Sequence, residues 1–295
     1  MNNFTRAMAT SILMMFAALG ALAVDHLTII GSATPGNWSI NDGLLMVQDP
    51  ENENVFLYTG YLNSEGTFKF TSGNDFSDPD KEYRNESSTP TDISKLVQGG
   101  DNDYQFQVTE SANYNVVCNL SDMTISVSKA EYQENPIRFN ALYLVGSATV
   151  GDWDIAKATP MVWGGENTPF KFTVTSELNA GEFKIDTNPY TGAWDCPWFF
   201  AGVGENGTTD YNKISSDGTD DRKWQIAAAG EYDIDIDLLD NTISIAHHNS
   251  AGIAEVNIDN HATPIYYNLQ GMVVSNPENG IFIKKIGNKV SKVIL

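Results

Sequence analysis

Positive charge is scarce in this sequence. Lys and Arg total 17 against 38 Asp and Glu, so the formal net charge is −21. A chain this acidic repels phosphate backbones and anionic lipid headgroups, and we expect no nucleic acid among its partners. The acidity does not argue against a neutral ligand such as a sugar, because sugars are bound through ring stacking and hydrogen bonds.

Cysteine, histidine and the motifs of common enzymes are scarce too. The two cysteines, Cys118 and Cys196, make no disulfide framework, and we expect both to pack as small apolar residues. The four histidines include no i, i+4 pair, and the sequence has no nucleophile elbow, phosphate loop or Rossmann turn. A glycosidase needs only two carboxylates, but no acids recur at equivalent loop positions. The sequence therefore predicts no enzyme and no cofactor.

One loop holds several acidic side chains that could suggest calcium. Its acidic and amide residues are Asn74, Asp75, Asp78 and Asp80. Their spacing departs from the Asp-x-Asp-x-Asp-Gly pattern with its distal Glu. We expect a solvated acidic turn and no metal site.

Long apolar runs are missing beyond the first residues. Residues 1–23 contain Arg6, an apolar run of 11 residues from Ile12 to Leu22, and a small-x-small pattern that ends at Ala23. This is the pattern of a secretory signal peptide, and the run is shorter than the ~20 residues of a membrane-spanning helix. We expect an exported protein, at the cell surface or outer membrane or secreted.

The sequence contains a long internal repeat. LTIIGSATPGNWSI from Leu27 returns as LYLVGSATVGDWDI from Leu142, 115 residues later, and GTFKF from Gly66 returns as GEFKI from Gly181 at the same distance. The closing segments NYNVVCNLSDMTISV and EYDIDIDLLDNTISI match 118 residues apart. The stretches between these anchors vary in length and sequence, which indicates loops that carry ligand contacts on a common scaffold.

The residue pattern predicts strands almost throughout. DIDIDL from Asp233, TISV from Thr124 and TISI from Thr242 alternate polar and apolar residues, as half-buried strands do. Short strands with Asn, Asp and Gly turns over about 100 residues are typical of a sandwich of two antiparallel sheets. We predict an all-β fold of two tandem immunoglobulin-like β-sandwich modules plus a small C-terminal β unit.

The predicted boundaries follow from the repeat and the signal pattern. They are 1–23 for the signal peptide, 24–130 for the first module, 131–138 for a linker, 139–248 for the second module and 252–295 for the C-terminal β segment. The modules 24–130 and 139–248 are named the first and the second repeat below.

The C-terminal segment differs from both repeats. Short runs such as PIYYNLQG, GIFIKK and KVSKVIL alternate with Gly and Asn-Pro turns. The last twelve residues contain Lys284, Lys285, Lys289 and Lys292 and no acid. These lysines suit either a protected edge strand or a sorting and attachment signal that another protein reads.

Tryptophans mark the candidate binding site of the second repeat. Trp153 lies two residues after Gly151 in the loop that ends the first strand, and the variable loop adds Trp194 and Trp198. Flat rings stack on the C–H faces of sugars while a nearby Lys or Asn donates hydrogen bonds. The candidate glycan-binding residues are Trp153, Lys184, Asn188, Trp194 and Trp198. The structural alternatives are a ring that caps the sandwich core and a lysine that is solvated.

The first repeat offers a poorer set of candidates. They are Trp38, Lys69 and Phe76, and no tryptophan corresponds to Trp194. Trp163 and Trp224 lie in or beside strand patterns, and we expect both in the core.

With the motifs LYLVGSATVGDWDI, FKI and AWDCPWFF, the chain resembles the SusE and SusF family of starch-binding outer-membrane proteins of Bacteroidetes. The resemblance covers both repeats and implies β-sandwich carbohydrate-binding modules that hold starch at the cell surface without cleaving it. It implies binding roles for Trp153, Lys184 and Trp194, and for Trp38, Lys69 and Phe76. The family's lipoprotein cysteine is absent here. The C-terminal residues are similar instead to Bacteroidetes segments that direct secretion and attachment.

The sequence thus favours non-catalytic binding of a starch-like α-glucan at the cell surface. The expected partners are a polysaccharide of the starch or maltooligosaccharide type and other outer-membrane proteins of glycan uptake. The alternative is a surface adhesin or scaffold without glycan binding, in which the tryptophans would be buried.

Overall fold

The computed structural model describes residues 24–190, 194–248, 264–269, 271–278, 280–286 and 289–294. The predicted signal peptide, 1–23, lies outside the described residues. The chain divides into two compact units, one that ends at His248 and one formed by the C-terminal segment. Within the described ranges, no helix has the length and apolarity needed to cross a bilayer.

The first repeat consists of short antiparallel strands. They are β1 (Leu27–Ile30), β2 (Leu44–Asp49), β3 (Asn52–Leu62), β4 (Lys69–Thr71), β5 (Glu82–Asn85), β6 (Leu96–Gln98), β7 (Ala112–Asn119) and β8 (Thr124–Lys129). Their order is β6-β5-β4-β1-β2-β3-β7-β8. β2 pairs with β1 through its first half and with β3 through its second half, so this strand joins two groups of strands.

The second repeat has a similar arrangement. Its strands are β9 (Tyr143–Val145), β10 (Thr159–Pro160), β11 (Val162–Trp163), β12 (Lys171–Leu178), β13 (Gly181–Asp186), β14 (Trp198–Val203), β15 (Thr209–Ser215), β16 (Trp224–Ile226), β17 (Gly230–Asp237) and β18 (Thr242–His247). The order is β10-β9-β13-β14-β15-β18-β17-β12-β11, with β16 beside β13. Short 3-10 turns lie at Ile40–Asp42 and Pro79–Lys81 in the first repeat and at Ile155–Lys157 and Glu205–Gly207 in the second.

The C-terminal unit forms a small sheet of its own. Its strands are β19 (Ile265–Tyr267), β20 (Val273–Val274), β21 (Ile281–Ile286) and β22 (Lys289–Ile294), in the order β20-β19-β21-β22. The all-β class is therefore confirmed, with several sheets. The division into two immunoglobulin-like modules at the stated boundaries stays a prediction.

Each repeat buries its own apolar core. In the first, the rings of Phe68, Phe70 and Phe106 pack with centroids 5.6–6.0 Å apart. In the second, Phe183 stacks on Trp224 at 5.4 Å, and both side chains are fully buried. Strand alternation explains these cores, because residues two apart on a strand face the same side.

The predicted linker is bound to the first repeat by hydrogen bonds. Asn113 Nδ2 donates to Tyr132 O at 3.0 Å, and Asn113 Oδ1 accepts from Ile137 N at 2.9 Å. Asn140 exchanges two hydrogen bonds of 2.7 Å with the backbone of Thr59. The connection between the repeats is therefore an ordered part of the first compact unit.

Candidate functional site

Trp153 is positioned by the Gly-Ser-Ala-Thr turn that both repeats share. Gly146 has φ +152°, and a Cβ there would lie 2.1 Å from Glu182 O, so only glycine allows the turn to approach the neighbouring strand this closely. Gly146 N donates to Asp152 O at 3.0 Å, and Asp152 has a left-handed φ of 54°, which Asp tolerates better than most residues. Gly31 in the first repeat has nearly the same conformation, with φ +145°.

Lys184 lies on β13 between two core residues, Phe183 and Ile185. Because side chains alternate along a strand, Lys184 points to the opposite face. It is only 9% exposed there, so the interpretation of a solvated lysine is wrong. Its Nζ lies close to the centres of four rings: 5.8 Å from Trp153, 5.1 Å from Trp194, 4.9 Å from Trp198 and 5.2 Å from Phe200.

The rings around Lys184 contact one another and reach the surface. Trp194 stacks on Trp198 with centroids 5.0 Å apart and planes 18° apart. Trp153 lies 6.0 Å from Trp194, with its plane inclined by 45°. Trp198 is buried, Trp153 is half-buried and Trp194 is 43% exposed. The five residues Trp153, Lys184, Trp194, Trp198 and Phe200 are named the aromatic site.

The ammonium group of the aromatic site has one carboxylate partner among the described residues. Lys184 Nζ donates to Asp221 Oδ1 at 2.9 Å, and Lys223 Nζ donates to the other oxygen of Asp221 at 2.6 Å. Burial alone would raise the pKa of Asp221, but the hydrogen bonds from Lys223 and Lys184 hold this pKa below its ordinary value. Asp221 therefore carries its negative charge at neutral pH.

A buried carboxyl group lies at the end of β13, directly before the loop that carries Trp194. Asp186 is fully buried, and its Oδ1 accepts from Asn188 N and from Cys196 Sγ, both at 2.8 Å. Burial raises the pKa of Asp186, although these hydrogen bonds oppose the shift. Burial and the neighbouring carboxylate likewise raise the pKa of the Cys196 thiol. Cys196 is thus both a buried small residue, as predicted, and a hydrogen-bond donor.

Lys69, the equivalent lysine of the first repeat, is surrounded by charge. Its Nζ donates to Glu82 Oε2 at 2.6 Å and to Asp103 Oδ1 at 2.7 Å, and Arg84 Nε donates to Glu82 Oε2 at 2.9 Å. Lys69, Glu82 and Arg84 are all buried. Burial alone would raise the pKa of Asp103, but the hydrogen bond and charge of Lys69 lower it.

The other predicted residues of the first repeat lie beside this ionic network. Lys69 Nζ is 5.7 Å from the ring centre of Trp38 and 5.2 Å from that of Phe76, whose side chain is 41% exposed. The structure thus brings Trp38, Lys69 and Phe76 together. The lysine charge, however, is already matched by two carboxylates.

Asn188 is not brought to the aromatic site. Its side chain is 1% exposed, and Nδ2 donates to Thr28 Oγ1 and to Gly43 O, both at 3.4 Å. Both partners belong to the first repeat. The predicted role of Asn188 in glycan binding therefore has no support in its position.

Two residues around Lys184 were not predicted as site residues. Phe200 follows Trp198 by two positions on β14, and the two-residue strand period places both on one face. Asp221 closes the variable stretch of the second repeat as Asp103 closes that of the first, and each binds the strand lysine of its repeat. This recurrence corrects the expectation that no acids occupy equivalent loop positions, and it is the sequence signal that could have identified Asp221.

The remaining sequence predictions concern buried residues and metals. Trp224 is fully buried in the core, as predicted, while Trp163 is half-buried and its Nε1 donates to Pro169 O at 2.9 Å. Cys118 is buried in the first core. In the described part of the chain, no group of three or more His, Cys, Asp or Glu side chains could hold a metal ion.

Neither a protein-family model nor a curated protein matches the sequence of the chain. Among solved structures, it is similar to SusF from Bacteroides thetaiotaomicron, with 14% sequence identity and a TM-score of 0.33. The match covers 90% of this chain and 58% of that one, so the chain spans little more than half of the SusF structure. A likeness of this degree assigns neither a family nor a ligand, and the resemblance in sequence motifs stays a prediction.

Proposed function

We propose that the second repeat binds a starch-like α-glucan without cleaving it, and that the exported chain presents this site at the cell surface. One observation carries the proposal. Trp194, 43% exposed, lies 6.0 Å from Trp153, and both rings surround the Lys184 ammonium group. Aromatic rings that cluster at the surface beside a polar group are typical of ligand-binding sites.

The chemistry of this group suits a neutral sugar. The apolar faces of Trp153 and Trp194 can stack on the C–H faces of glucose units. An ammonium group has three donors, and Asp221 accepts one from Lys184 at 2.9 Å. A sugar hydroxyl is a suitable acceptor for another.

The inclination of the two rings favours an α-glucan over a β-glucan. Trp153 and Trp194 are inclined by 45° and form a bent surface rather than a flat one. Successive glucose units of an α-1,4-glucan turn relative to one another, whereas those of a β-1,4-glucan form a flat ribbon. A bent pair of rings therefore fits the first polymer better.

Asp221 and Asp186, two carboxyl groups near Lys184, are poor candidates for a catalytic acid or base. Asp221 is held by two lysines that lower its pKa, so this residue is a poor proton donor at neutral pH. Asp186 has a raised pKa but is fully buried and out of reach of a glycan. Retaining and inverting glycosidases require two accessible carboxyl groups.

The first repeat receives no primary binding role in this proposal. Lys69 is bound to Glu82 and Asp103, so its donors are directed to carboxylates. Other outer-membrane proteins of glycan uptake are the proposed protein partners, and the lysine-rich C-terminal segment is the proposed means of sorting or attachment.

Affinity electrophoresis in gels that contain amylopectin tests the proposal. We expect the wild-type chain to be retarded and the Trp153→Ala and Trp194→Ala variants to lose about tenfold or more in affinity, since a ring stacking contact contributes about 1.5 kcal/mol. Tyr211→Ala is the matched control, because Tyr211 is as exposed as Trp194 but lies on β15 outside the aromatic site. The proposal would be refuted if wild-type protein migrated equally fast in gels with and without amylopectin.

Fluorescence separates this function from that of a scaffold. Acrylamide quenches exposed tryptophans, and a bound glucan shields them. We expect maltoheptaose to protect wild-type fluorescence from acrylamide and to have no such effect in Trp194→Ala. Quenching that is weak and unchanged by maltoheptaose would favour the adhesin or scaffold.

A further inference from the structure

The loop that carries Trp194 contacts the first repeat at two points. Asn188 Nδ2 donates to Thr28 Oγ1 at 3.4 Å, across 160 residues of sequence. The ring of Tyr190 stacks on that of His26, with centroids 4.7 Å apart and planes 8° apart. His26 directly precedes β1 and Thr28 lies on it, so the start of β1 in the first repeat meets the loop of the second.

The two contacts are linked within the loop. Asn188 Oδ1 accepts from Tyr190 N at 3.1 Å, so the residue that bonds the first repeat also orients the residue that stacks on it. Thr187 Oγ1 donates to Pro197 O at 2.7 Å and joins the two ends of the loop. The loop is thus joined at its ends by Thr187 and Pro197, and its first part, at Asn188 and Tyr190, is held by the first repeat.

Trp194 needs such support because its backbone is strained. It has φ +70°, a left-handed conformation that is uncommon for bulky residues and persists only where the surroundings hold it. Its ring is substantially exposed, so the core of the second repeat does not enclose it. Tyr190, four positions earlier, is the nearest described anchor along the chain on that side.

The equivalent loop of the first repeat is held differently. Asp75 Oδ1 accepts from Ser77 N at 2.9 Å, and Asp78 Oδ1 accepts from Asp80 N at 3.1 Å. These are local turns that need no second repeat. Support from a neighbouring repeat is therefore a property of the loop that carries Trp194, and not of the repeat fold in general.

We propose that the first repeat supports the aromatic site of the second, with His26 and Thr28 positioning the loop through Tyr190 and Asn188 so that Trp194 stays opposite Trp153. The inference rests on the proposed function. It gives Asn188 a positioning role in place of the predicted glycan contact. It also gives the first repeat a role in glucan binding, although its own lysine, Lys69, is bound to Glu82 and Asp103.

The test removes the stacking partner and leaves the aromatic site untouched. His26→Ala removes the ring, and His26→Phe restores an aromatic ring. Lys81→Ala is the matched control, because Lys81 lines the same polar cleft of the first repeat as His26. Each full-length variant is measured for hydrogen–deuterium exchange in the peptide 187–197, for amylopectin affinity and for its thermal midpoint.

We expect His26→Ala to raise exchange in this peptide and to weaken glucan binding by about three- to tenfold, the value of one aromatic pair. His26→Phe and Lys81→Ala should match the wild type in both measurements. Unchanged exchange in His26→Ala overturns the inference, as does raised exchange with unchanged affinity. Raised exchange and weakened binding in His26→Ala that His26→Phe does not restore overturn it too.

The exchange measurement separates this inference from the proposed function. Exchange in the peptide 187–197 is read without glucan. If wild-type protein does not bind amylopectin, the proposed function fails by itself, while exchange still reports whether His26 holds the loop. If wild-type protein binds and His26→Ala changes nothing, only the support by the first repeat is refuted.

Discussion

Glu82 and Trp198 occupy equivalent positions in the two repeats. Glu82 pairs with Thr71 and Trp198 pairs with Asp186. Thr71 and Asp186 each lie two residues after the strand lysine of their repeat. The same backbone position therefore presents a carboxylate to the lysine in the first repeat and an indole in the second.

The next residues on this face differ in the same way. Arg84 follows Glu82 by two positions, and Phe200 follows Trp198 by two positions. In the first repeat the lysine contacts two carboxylates and lies near two rings, and in the second it contacts one carboxylate and lies near four rings. The repeats therefore share a strand lysine with different neighbours.

Replacing the first lysine should cost stability and leave binding intact. Lys69→Met leaves Glu82 buried with Arg84 as its remaining ionic partner, and loss of one hydrogen bond to a buried charged group costs about 2 kcal/mol. We expect the free energy of unfolding in urea to fall by that amount. Amylopectin affinity of the folded variant should equal that of the wild type.

Replacing Lys184 should cost little stability and should weaken glucan binding. The partner of Lys184 is the half-exposed Asp221, so Lys184→Met should cost less than about 1 kcal/mol of stability. It removes the only ammonium group described between Trp153 and Trp194, and we expect binding to fall sharply. Equal losses of affinity in Lys69→Met and Lys184→Met would contradict the division of roles.

A glycine of the shared turn should be essential for the fold of its repeat. Gly146→Ala combines a positive φ with a Cβ 2.1 Å from Glu182 O, and we expect it to destabilise the chain by more than about 3 kcal/mol. Gly165→Ala is the control, since Gly165 also has a positive φ, +72°, but no atom lies within 4 Å of its Cβ position. That variant should lose only about 1 kcal/mol in the same urea titration. Similar losses in the two variants would show that backbone strain alone matters.

Parts of this arrangement could be predicted from the sequence because they depend on local patterns. Alternation around Asp233 identifies a strand, and the recurring Gly-x-Trp motif identifies the loop of Trp153. The burial of Lys184 could not be predicted, because it depends on rings from a loop and strand with irregular spacing. The burial of Asn188 could not be predicted for a similar reason: its partner Thr28 lies 160 residues away in the sequence.

The buried carboxyl group of Asp186 should change how the free energy of unfolding depends on pH. Its pKa is raised above the ordinary 3.8, so the folded chain binds this proton more tightly than the unfolded chain does. The stabilisation is complete below pH 3.8 and is lost as the pH rises through the higher folded-state pKa. Asp186→Asn keeps an oxygen for Asn188 N and Cys196 Sγ but cannot ionise.

The difference in unfolding free energy between Asp186→Asn and wild type should therefore change in one direction between about pH 4 and pH 7. We expect Asp186→Asn to gain stability relative to wild type as the pH rises. Asp221→Asn serves as the control, because the pKa of Asp221 is lowered below 3.8, so the difference in stability between this variant and wild type should stay nearly constant from about pH 4 to pH 7. Parallel pH profiles for wild type and Asp186→Asn would mean that burial does not shift this carboxyl group.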